Sequence, residues 1–345
     1  MIAKPISELS IEDRIEWSRF CEKLAESGQE VPISQTIPWA IANASLGAQS
    51  VLIYDPEAQV GGVLFTLPDP NSDPKWECQN GPLTLTNEPS RLAHWLVNTH
   101  GLLLETGSSH LSLRPRIRSD QSAVWKSLDV PYASENLAAT WILNAAQAST
   151  LFTNQRLKRT LCKTVEALVN ANFAEATLPK LLEFSTKYEN FCRSKKLFTP
   201  GFQWFRTLMY QCEIEVQNST TDFRLWLGEA TCLAEAPKGE TSTEVSAMML
   251  VYQTPFSAHY IHGYQDRKPR ASRLSPSALL HKIAFDHLHE RGIKTYDLNG
   301  ASVRLQTNES PSHTIDRRYQ GVDAFKEQFG GDYVSYRQPE ILISL

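Results

Sequence analysis

Two short segments near the C-terminus carry the residue types best suited to chemistry. Residues 296–300 (YDLNG) predict a short strand that ends in a turn. Residues 321–331 (GVDAFKEQFGG) predict one short helix, because glycines at a helix C-terminus commonly satisfy the carbonyl groups left free there. Lys326 follows Phe325 in the middle of that helix. Such a lysine is either a solvated surface charge or a cation directed at a reacting group.

The elements that position these segments form an α/β pattern in the second half of the chain. The pair Ser275-Pro276 predicts a helix start, because proline suits the first helical position after a serine cap. A strand, a helix and a further strand make a parallel crossover unit. The predicted helices are 147–187, 204–212, 275–291 and 323–329, and the predicted strands are 223–228, 244–253, 258–263, 294–298, 333–336 and 341–345.

The first half of the chain repeats a similar order more loosely. Ser10 predicts the cap of a helix that starts at Ile11 and ends at Gly28. The sequence character changes near residue 146, and 345 residues are a fair length for two domains. The other predicted elements of this half are strands at 49–54, 61–67, 110–113 and 140–143 and a helix at 91–106.

The overall composition excludes several classes of protein. Hydrophobic residues make up 41% and charged residues 21%, which is typical of a globular protein. A net charge of −4 argues against a protein whose whole surface binds nucleic acid. The N-terminus has no apolar signal core, and no apolar run approaches the length of a membrane span. We therefore expect a cytoplasmic protein.

Neither the cysteines nor the histidines predict a metal site. The 6 cysteines are scattered without a Cys-x-x-Cys pair, which favours buried, reduced thiols. His281, His287 and His289 lack the spacing of a helical metal-binding pair. We expect neither a metal nor another cofactor.

Several motifs together resemble the Fem-type peptidyltransferases, the FemABX family of two tandem GNAT-like acyltransferase domains. The segments 296–300 and 321–331, in that order, are the most specific of these motifs, and the resemblance spans nearly the whole chain. The other matching segments are WILN at 141–144, NQRLKR at 154–159, HYIHGY at 259–264, LLHK at 279–282, QTIPWA at 35–40 and CQNGP at 78–82.

The resemblance implies an α/β fold of two GNAT-like domains, with mixed twisted sheets flanked by helices. We predict an N-terminal domain at 1–147, which the C-terminal strand 338–345 can rejoin, and a C-terminal domain at 148–337. Several family members insert a long helical arm into the second domain. No segment of this chain is long and charged enough to form such an arm.

The activity implied by the resemblance is transfer of an aminoacyl group to an amine, with formation of an amide. The donor in the family is usually an aminoacyl-tRNA, and the acceptor is a peptidoglycan precursor or a similar peptide amine. Members that hold a nucleotide-linked precursor carry a basic residue shortly after an N-terminal tryptophan. Trp39, the matching substrate-binding residue, is followed by AIANA, which puts the usual diphosphate contact in question.

Lys326 is the strongest candidate for a catalytic role. Aminolysis passes through a tetrahedral oxyanion, which a nearby cation or hydrogen-bond donor stabilises. By the resemblance, we expect the Lys326 ammonium to meet that charge and Phe325 to pack beside the acyl group. The spacing alone favours a surface lysine beside a core phenylalanine.

Further candidate residues carry hydroxyl or carboxylate groups. Tyr260 and Tyr296 are predicted catalytic residues and Tyr264 a substrate-binding residue, each able to hydrogen-bond the acceptor or the leaving hydroxyl. A strand tyrosine is more often a core residue with its hydroxyl at the rim. Asp297 either orients an amine or caps the following turn.

Two basic segments are candidates for phosphate contacts. One is a loop before a helix start, where glycines in CoA-dependent GNAT enzymes allow the backbone to approach a pyrophosphate. This loop has arginines and no glycine, which argues against ordinary CoA binding and favours a grip by side chains. The other is a helix that can touch an RNA backbone. A solvated loop and a plain amphipathic helix explain the two segments about as well. The cations are Arg267, Arg270 and Arg273 in the loop and Arg156, Lys158, Arg159 and Lys163 in the helix.

Two other functions stay open at this point. One is an N-acyltransferase that takes an acyl group from acyl-CoA or an acyl carrier protein and acts on a small amine. The other is a non-catalytic GNAT-like module that binds a peptide.

Overall fold

Strands and helices alternate along the chain, as the sequence predicts for an α/β protein. The computed structural model describes residues 1–66, 75–86, 88–105, 107–108, 110–115, 132–218, 222–234, 242–266, 274–301 and 320–344. The strands are β1 (Ile2–Pro5), β2 (Gln49–Asp55), β3 (Val60–Thr66), β4 (Lys75–Asn80), β5 (Leu83–Thr84), β6 (His110–Pro115), β7 (Tyr132–Asn144), β8 (Leu168–Glu175), β9 (Arg224–Ala234), β10 (Thr243–Gln253), β11 (Ala258–Gln265), β12 (Thr295–Asp297) and β13 (Asp332–Ser344).

The helices start at recognisable caps. Ser10 and Asp13 form a capping box at the first helix, and the side chain of Ser275 accepts a hydrogen bond from the backbone N–H of Ala278 at another. The helices are α1 (Ile11–Glu26), α2 (Ile37–Ala44), α3 (Pro89–Leu104), α4 (Gln155–Glu166), α5 (Leu178–Lys195), α6 (Phe202–Asn218), α7 (Pro276–Glu290) and α8 (Gln320–Glu327).

The chain divides into two compact units. Unit 1 comprises 1–138, 210–221 and 335–345, and unit 2 comprises 139–209 and 222–334. The C-terminal end of the chain thus belongs to the unit that contains the N-terminus. The predicted domain limits, 1–147 and 148–337, stay a prediction.

Unit 1 contains a mixed sheet in the order β1-β2-β3-β4-β6-β13, and β5 pairs with β3. β4 and β6 run parallel, and the neighbouring pairs run antiparallel. Its core joins the buried faces of these strands to α3, whose Trp95 is fully buried.

Unit 2 contains a second mixed sheet segment in the order β7-β12-β11-β10-β9-β8. β11 and β12 are parallel and are joined through α7, which is the crossover unit predicted from the sequence. α7 packs its buried face on this sheet, with Leu280 and Phe285 in the core.

Two features of the fold differ from the prediction of local structure. The predicted helix 147–187 is wrong in its middle, because β8 occupies Leu168–Glu175 between α4 and α5. This strand lies at the end of the strand order and pairs only with β9 among the described strands, so pairing overrides its alanine- and asparagine-rich composition. The two predicted final strands are one continuous strand, β13.

The described helices include none with both the length and the apolar character that crossing a bilayer requires. The longest, α5, has 18 residues and carries charged residues along its length. The described residues also contain no long paired helical arm, as predicted.

Candidate active site

The candidate site of unit 2 begins where two parallel strands part. β11 and β12 pair at Ala258–Tyr296 and at His259–Asp297, and β12 then ends while β11 continues to Gln265. A bulge in β11, between its pairing with Leu250 and with Val251 of β10, turns the strand at the same place. Strands that part leave backbone groups to be bonded by other partners.

A tight turn follows β12 and supplies some of those partners. Asn299 and Gly300 both adopt left-handed backbone angles, with φ of 49° and 55°. The Asp297 carboxylate accepts a hydrogen bond from the Asn299 N–H at 2.7 Å, so Asp297 caps the turn. The Asn299 side-chain amide donates to the Tyr260 carbonyl of β11 at 2.8 Å. A role for Asp297 in substrate binding stays a prediction.

Lys326 of α8 lies against this turn. Its ammonium donates hydrogen bonds to the carbonyl oxygens of Asn299 and Gly300, and the residue is 5% exposed. Burial lowers the pKa of Lys326 to about 8, although the negative charges of Asp297 and Asp323 act to raise it. Lys326 is therefore not a solvated surface charge.

A cavity of about 610 Å³ opens beside Lys326. Its wall combines apolar groups with hydroxyl, amide and charged groups, which is the usual composition of a small-molecule site. The walls come from α4, α5, β10, β11, α7 and α8. Among the predicted site residues, those that line it are Lys326, Phe325, Tyr260 and Tyr264.

Tyr260 lies at the bulge of β11, and its ring extends along the strand towards Gly263. A Cβ atom at Gly263 would stand 2.6 Å from the Tyr260 hydroxyl oxygen, so the strand needs glycine there. Burial raises the pKa of Tyr260 to about 12. The hydroxyl is therefore protonated at neutral pH and can act as a hydrogen-bond donor.

His281 of α7 also lines the cavity, a placement that the sequence does not predict. Its Nδ1 atom lies 2.9 Å from the Tyr296 hydroxyl, and its ring packs edge-on against Tyr260. Burial, with a smaller contribution from the Lys326 charge, lowers the pKa of His281 to about 3. This imidazole is neutral at physiological pH. Tyr296 itself is buried behind His281, and burial raises its pKa.

The other predicted residues lie in different surroundings. Tyr264 is buried, and its ring packs near Phe184 and Phe191 of α5. Phe325 is half-buried and contacts the His281 and Phe329 rings. Trp39 is half-buried on α2 and belongs to unit 1, so unit 2 does not bring it together with Lys326.

The basic helix α4 borders the cavity. Thr160 of this helix lines the cavity, and Arg156 and Lys163 lie four residues before it and three after it, on the same face. The four predicted cations of this helix, Arg156, Lys158, Arg159 and Lys163, are exposed. The predicted loop residues Arg267, Arg270 and Arg273 fall outside the described residues. The residues on either side of that segment, Asp266 and Leu274, both line the cavity.

Among the described residues, no group of three or more histidine, cysteine, aspartate or glutamate side chains is arranged to hold a metal ion. The backbone N–H groups at the start of α7 are already bonded. That of Ser277 donates to the Gln265 side chain at 3.2 Å, and that of Ala278 donates to Ser275 at 3.4 Å. The site therefore presents one buried cation, a hydroxyl donor and a neutral imidazole around a cavity.

Comparison with known proteins finds likeness in structure alone. Neither a protein-family model nor a curated protein sequence matches the chain. The crystal structure of FemX superposes with a TM-score of 0.71 over 100% of this chain and 98% of that chain, at 11% identity. A conserved protein of unknown function from Bacteroides thetaiotaomicron VPI-5482 has a TM-score of 0.56, 11% identity and coverage of 99% and 100%.

A tandem GNAT protein from the clavulanic acid biosynthesis pathway has a TM-score of 0.50 at 11% identity, over 99% of this chain and 98% of that chain. Identities this low establish the fold and nothing finer. They confirm, at the level of the fold, the resemblance that the sequence motifs indicate. The chain has the tandem GNAT-like fold of the Fem-type proteins.

Proposed function

We propose that this protein is an aminoacyltransferase that forms an amide bond. It passes an aminoacyl group from a phosphate-bearing donor, an aminoacyl-tRNA, to the amine of a peptide such as a peptidoglycan precursor. The observation that carries the proposal is the buried Lys326 ammonium at the wall of a cavity. Burying a cation costs free energy, which hydrogen bonds or an opposite charge must offset.

Lys326 has the hydrogen-bonding capacity for this role. An ammonium group has three N–H donors, and Lys326 directs its donors to two backbone carbonyls. Among the described residues the ammonium has no third acceptor, so we assign its third N–H to an oxyanion that forms in the cavity. Because the site is buried, one such donor is worth more there than in water.

The reaction needs little besides this donor and correct placement. The neutral acceptor amine attacks the ester carbonyl, a C–N bond forms, and the C–O bond to the donor hydroxyl breaks. The amine loses a proton and the leaving oxygen gains one. Tyr260, whose pKa is raised to about 12, is the candidate relay: it donates its proton to the leaving oxygen and takes up the proton that the amine loses, so it ends neutral.

His281 serves this site in a different way. Its pKa of about 3 makes it a poor base, so it does not take the proton of the amine. Its hydrogen-bonding contact with Tyr296 and its packing on Tyr260 hold the two tyrosines relative to α7. We therefore assign His281 to positioning.

Two observations support a phosphate-bearing donor larger than CoA. The face of α4 that borders the cavity carries Arg156 and Lys163, which can contact the backbone of a nucleic acid. The amides at the start of α7 are bonded to Gln265 and Ser275, so they do not offer a ready site for a pyrophosphate.

An acyl-CoA-dependent N-acyltransferase is the second candidate. The observation in its favour is the tandem GNAT neighbour, whose name mentions a form without AcCoA. The third candidate, a module that binds peptides without catalysis, shares the cavity but predicts no product.

The test is a transfer assay with competing donors. The protein is incubated with a mixed aminoacyl-tRNA pool and muropeptides that carry a free amine, and separately with acetyl-CoA and the same acceptors. We expect an aminoacyl mass added to the acceptor in the first mixture. An acetyl mass in the second mixture alone would favour the second candidate, and peptide binding without either product would favour the third.

A pair of variants tests the role of α4. Arg156→Gln combined with Lys163→Gln should raise KM for the aminoacyl-tRNA several-fold and reduce its salt dependence. Lys158 is exposed on the opposite side of the same helix, so Lys158→Gln is the matched control and should change KM little. An equal effect of both changes would contradict a specific donor surface.

A further inference from the structure

A buried polar network surrounds the carboxylate of Asp297. Asp297 is 3% exposed, and its Oδ1 atom accepts hydrogen bonds from the Asn299 N–H and from the Thr140 hydroxyl. Its Oδ2 atom lies 3.7 Å from Nδ1 of His259, whose Nε2 atom lies 2.7 Å from the Ser257 hydroxyl. This carboxylate does not line the cavity, so substrate contact does not account for its burial.

Asn299 connects this network to the candidate catalytic lysine. Its N–H bonds to Asp297, its side-chain amide bonds to the Tyr260 carbonyl, and its own carbonyl accepts from the Lys326 ammonium. Its left-handed φ of 49° is one that asparagine tolerates better than most residues. One residue thus touches both candidate groups of the site, Lys326 and Tyr260.

We propose that Asp297 and Asn299 are the positioning residues of Lys326. Asp297 fixes the left-handed turn, the turn presents two carbonyls that hold the ammonium, and the Asn299 side chain sets that turn relative to the bulge of β11. The catalytic meaning of this device rests on the proposed function, whereas the arrangement itself does not. Neither residue lines the cavity.

Asp297 can act on Lys326 in two ways that substitutions separate. As a charge, Asp297 favours the ammonium form of Lys326, and Asp323 does the same. Burial opposes the ammonium form, and the neutral His281 has no charge that could favour it. As a hydrogen-bond acceptor, it holds the turn. Asp297→Asn removes the charge and keeps an oxygen that can accept from the Asn299 N–H. Asp297→Ala removes both.

The decisive measurement is a titration of the Lys326 side chain by NMR. The full-length protein is labelled with ¹⁵N at the lysine Nζ atoms, and the Lys326 signal is assigned by its loss in Lys326→Met. We expect Asp297→Asn to lower the pKa of Lys326, since the ammonium stays buried and loses a favourable charge. We expect Asp297→Ala to raise it towards the ordinary lysine value, since the ammonium is released to water.

Three further variants complete the test. Asp323→Asn removes the other carboxylate charge that favours the Lys326 ammonium, and should lower the pKa as Asp297→Asn does. Asn299→Gly keeps the left-handed backbone and loses only the side-chain bond to the Tyr260 carbonyl, so it should release the Lys326 ammonium less than Asn299→Val does. Asn299→Val disfavours that backbone and should release the ammonium. Thermal unfolding identifies any variant that fails to fold.

The outcomes distinguish the proposal from its alternatives. A fall in the pKa in both Asp297 variants would overturn it, because Asp297 would then act by charge alone. An unchanged Lys326 signal in Asp297→Ala and Asn299→Val would also overturn it. The expected NMR shifts together with full transfer activity in Lys326→Met would support the positioning device and reject the proposed function.

If both the positioning proposal and the proposed function hold, release of the Lys326 ammonium should also lower the rate of transfer. A displacement of about 1 Å at a reacting group can cost on the order of 100-fold in rate. We expect Asp297→Ala and Asn299→Val to lower kcat by up to that factor with little change in KM, and Asn299→Gly, which loses only the side-chain bond to β11, to lower kcat by less. A change confined to KM would place these residues in substrate binding instead.

Discussion

Both units contain a pair of neighbouring parallel strands, which stay paired in unit 1 and part in unit 2. In unit 1, β4 and β6 stay paired from Lys75 opposite His110 to Asn80 opposite Pro115. In unit 2, the parallel strands β11 and β12 pair at Ala258 opposite Tyr296 and at His259 opposite Asp297, and then part. A sheet that stays paired satisfies its own backbone, whereas a sheet that parts must recruit other groups.

Unit 1 also recruits a side chain to its sheet, at the antiparallel pair of β3 and β4, and the recruited groups of the two units differ in chemistry. In unit 1, β3 and β4 are bridged by the fully buried Gln35, whose amide bonds to Val63 at 2.8 Å and to Gln79 at 2.7 Å. In unit 2, the parting is bordered by a charged group, the Lys326 ammonium, beside a cavity. A neutral amide closes one sheet, and a cation is kept at the gap in the other. On the proposed function, the Gln35 amide is structural and the Lys326 ammonium takes part in the reaction.

The largest expected effect comes from removing the cation of unit 2. Lys326→Met should lower aminoacyl transfer on the order of 100- to 1,000-fold, since it removes a donor aimed at the oxyanion. The matched control is Lys75→Met, which removes an exposed lysine at the start of β4 in unit 1. Steady-state rates should be normal in the control. Comparable losses in the two variants would erase the distinction between the units.

A smaller effect should follow from crowding the bulge of β11. Gly263→Ala would place a Cβ atom 2.6 Å from the Tyr260 hydroxyl oxygen and 3.0 Å from the Met248 carbonyl, so Tyr260 must move. We expect a loss of transfer of about 10- to 100-fold, because the reacting groups are displaced. Gly321→Ala, at a cavity-lining glycine with open space around its Cβ position, should behave as wild type. Wild-type rates in Gly263→Ala would exclude Tyr260 from the mechanism.

The smallest effect on transfer is expected from the corresponding change in unit 1. Gln35→Leu leaves buried backbone groups of Val63 and Gln79 without their partner. We expect the free energy of unfolding to fall by about 2–4 kcal/mol, while transfer per folded molecule is unchanged. Urea unfolding measures the first quantity, and Gln49→Leu, at an exposed position of the same unit, is the control. A specific loss of catalysis in Gln35→Leu would show that unit 1 also carries chemistry.

The sequence predicts the elements of unit 2 that have strong end signals. The Ser275-Pro276 start of α7 and the glycines after α8 fix the helices on which His281 and Lys326 stand. β8 is not predictable from its own residues, because its strand state depends on pairing with β9. Local propensity describes a segment, and edge pairing is a property of the fold.

The candidate site is predictable only in part, for a similar reason. Lys326 and Tyr260 lie in segments whose resemblance to Fem-type motifs makes them candidates. Nothing in the sequence shows that Asn299 connects the two. His281 stands in a predicted helix, and only the fold turns it towards Tyr296. The one local signal is the Asn299-Gly300 pair, whose residue types favour left-handed angles. Contacts between residues far apart in the chain need the folded sheet.

The central claim is that Lys326 acts as a cation, and the pH dependence of transfer tests it most directly. The charged form is present below the folded pKa of about 8 and is lost as the pH rises through that value. The transfer rate of the wild type should therefore fall on the alkaline side of about pH 8, even though the acceptor amine becomes more reactive there. In Lys326→Arg the guanidinium stays charged, so the fall should disappear whatever the absolute rate. The same alkaline fall in both proteins, or none in the wild type, would contradict the account.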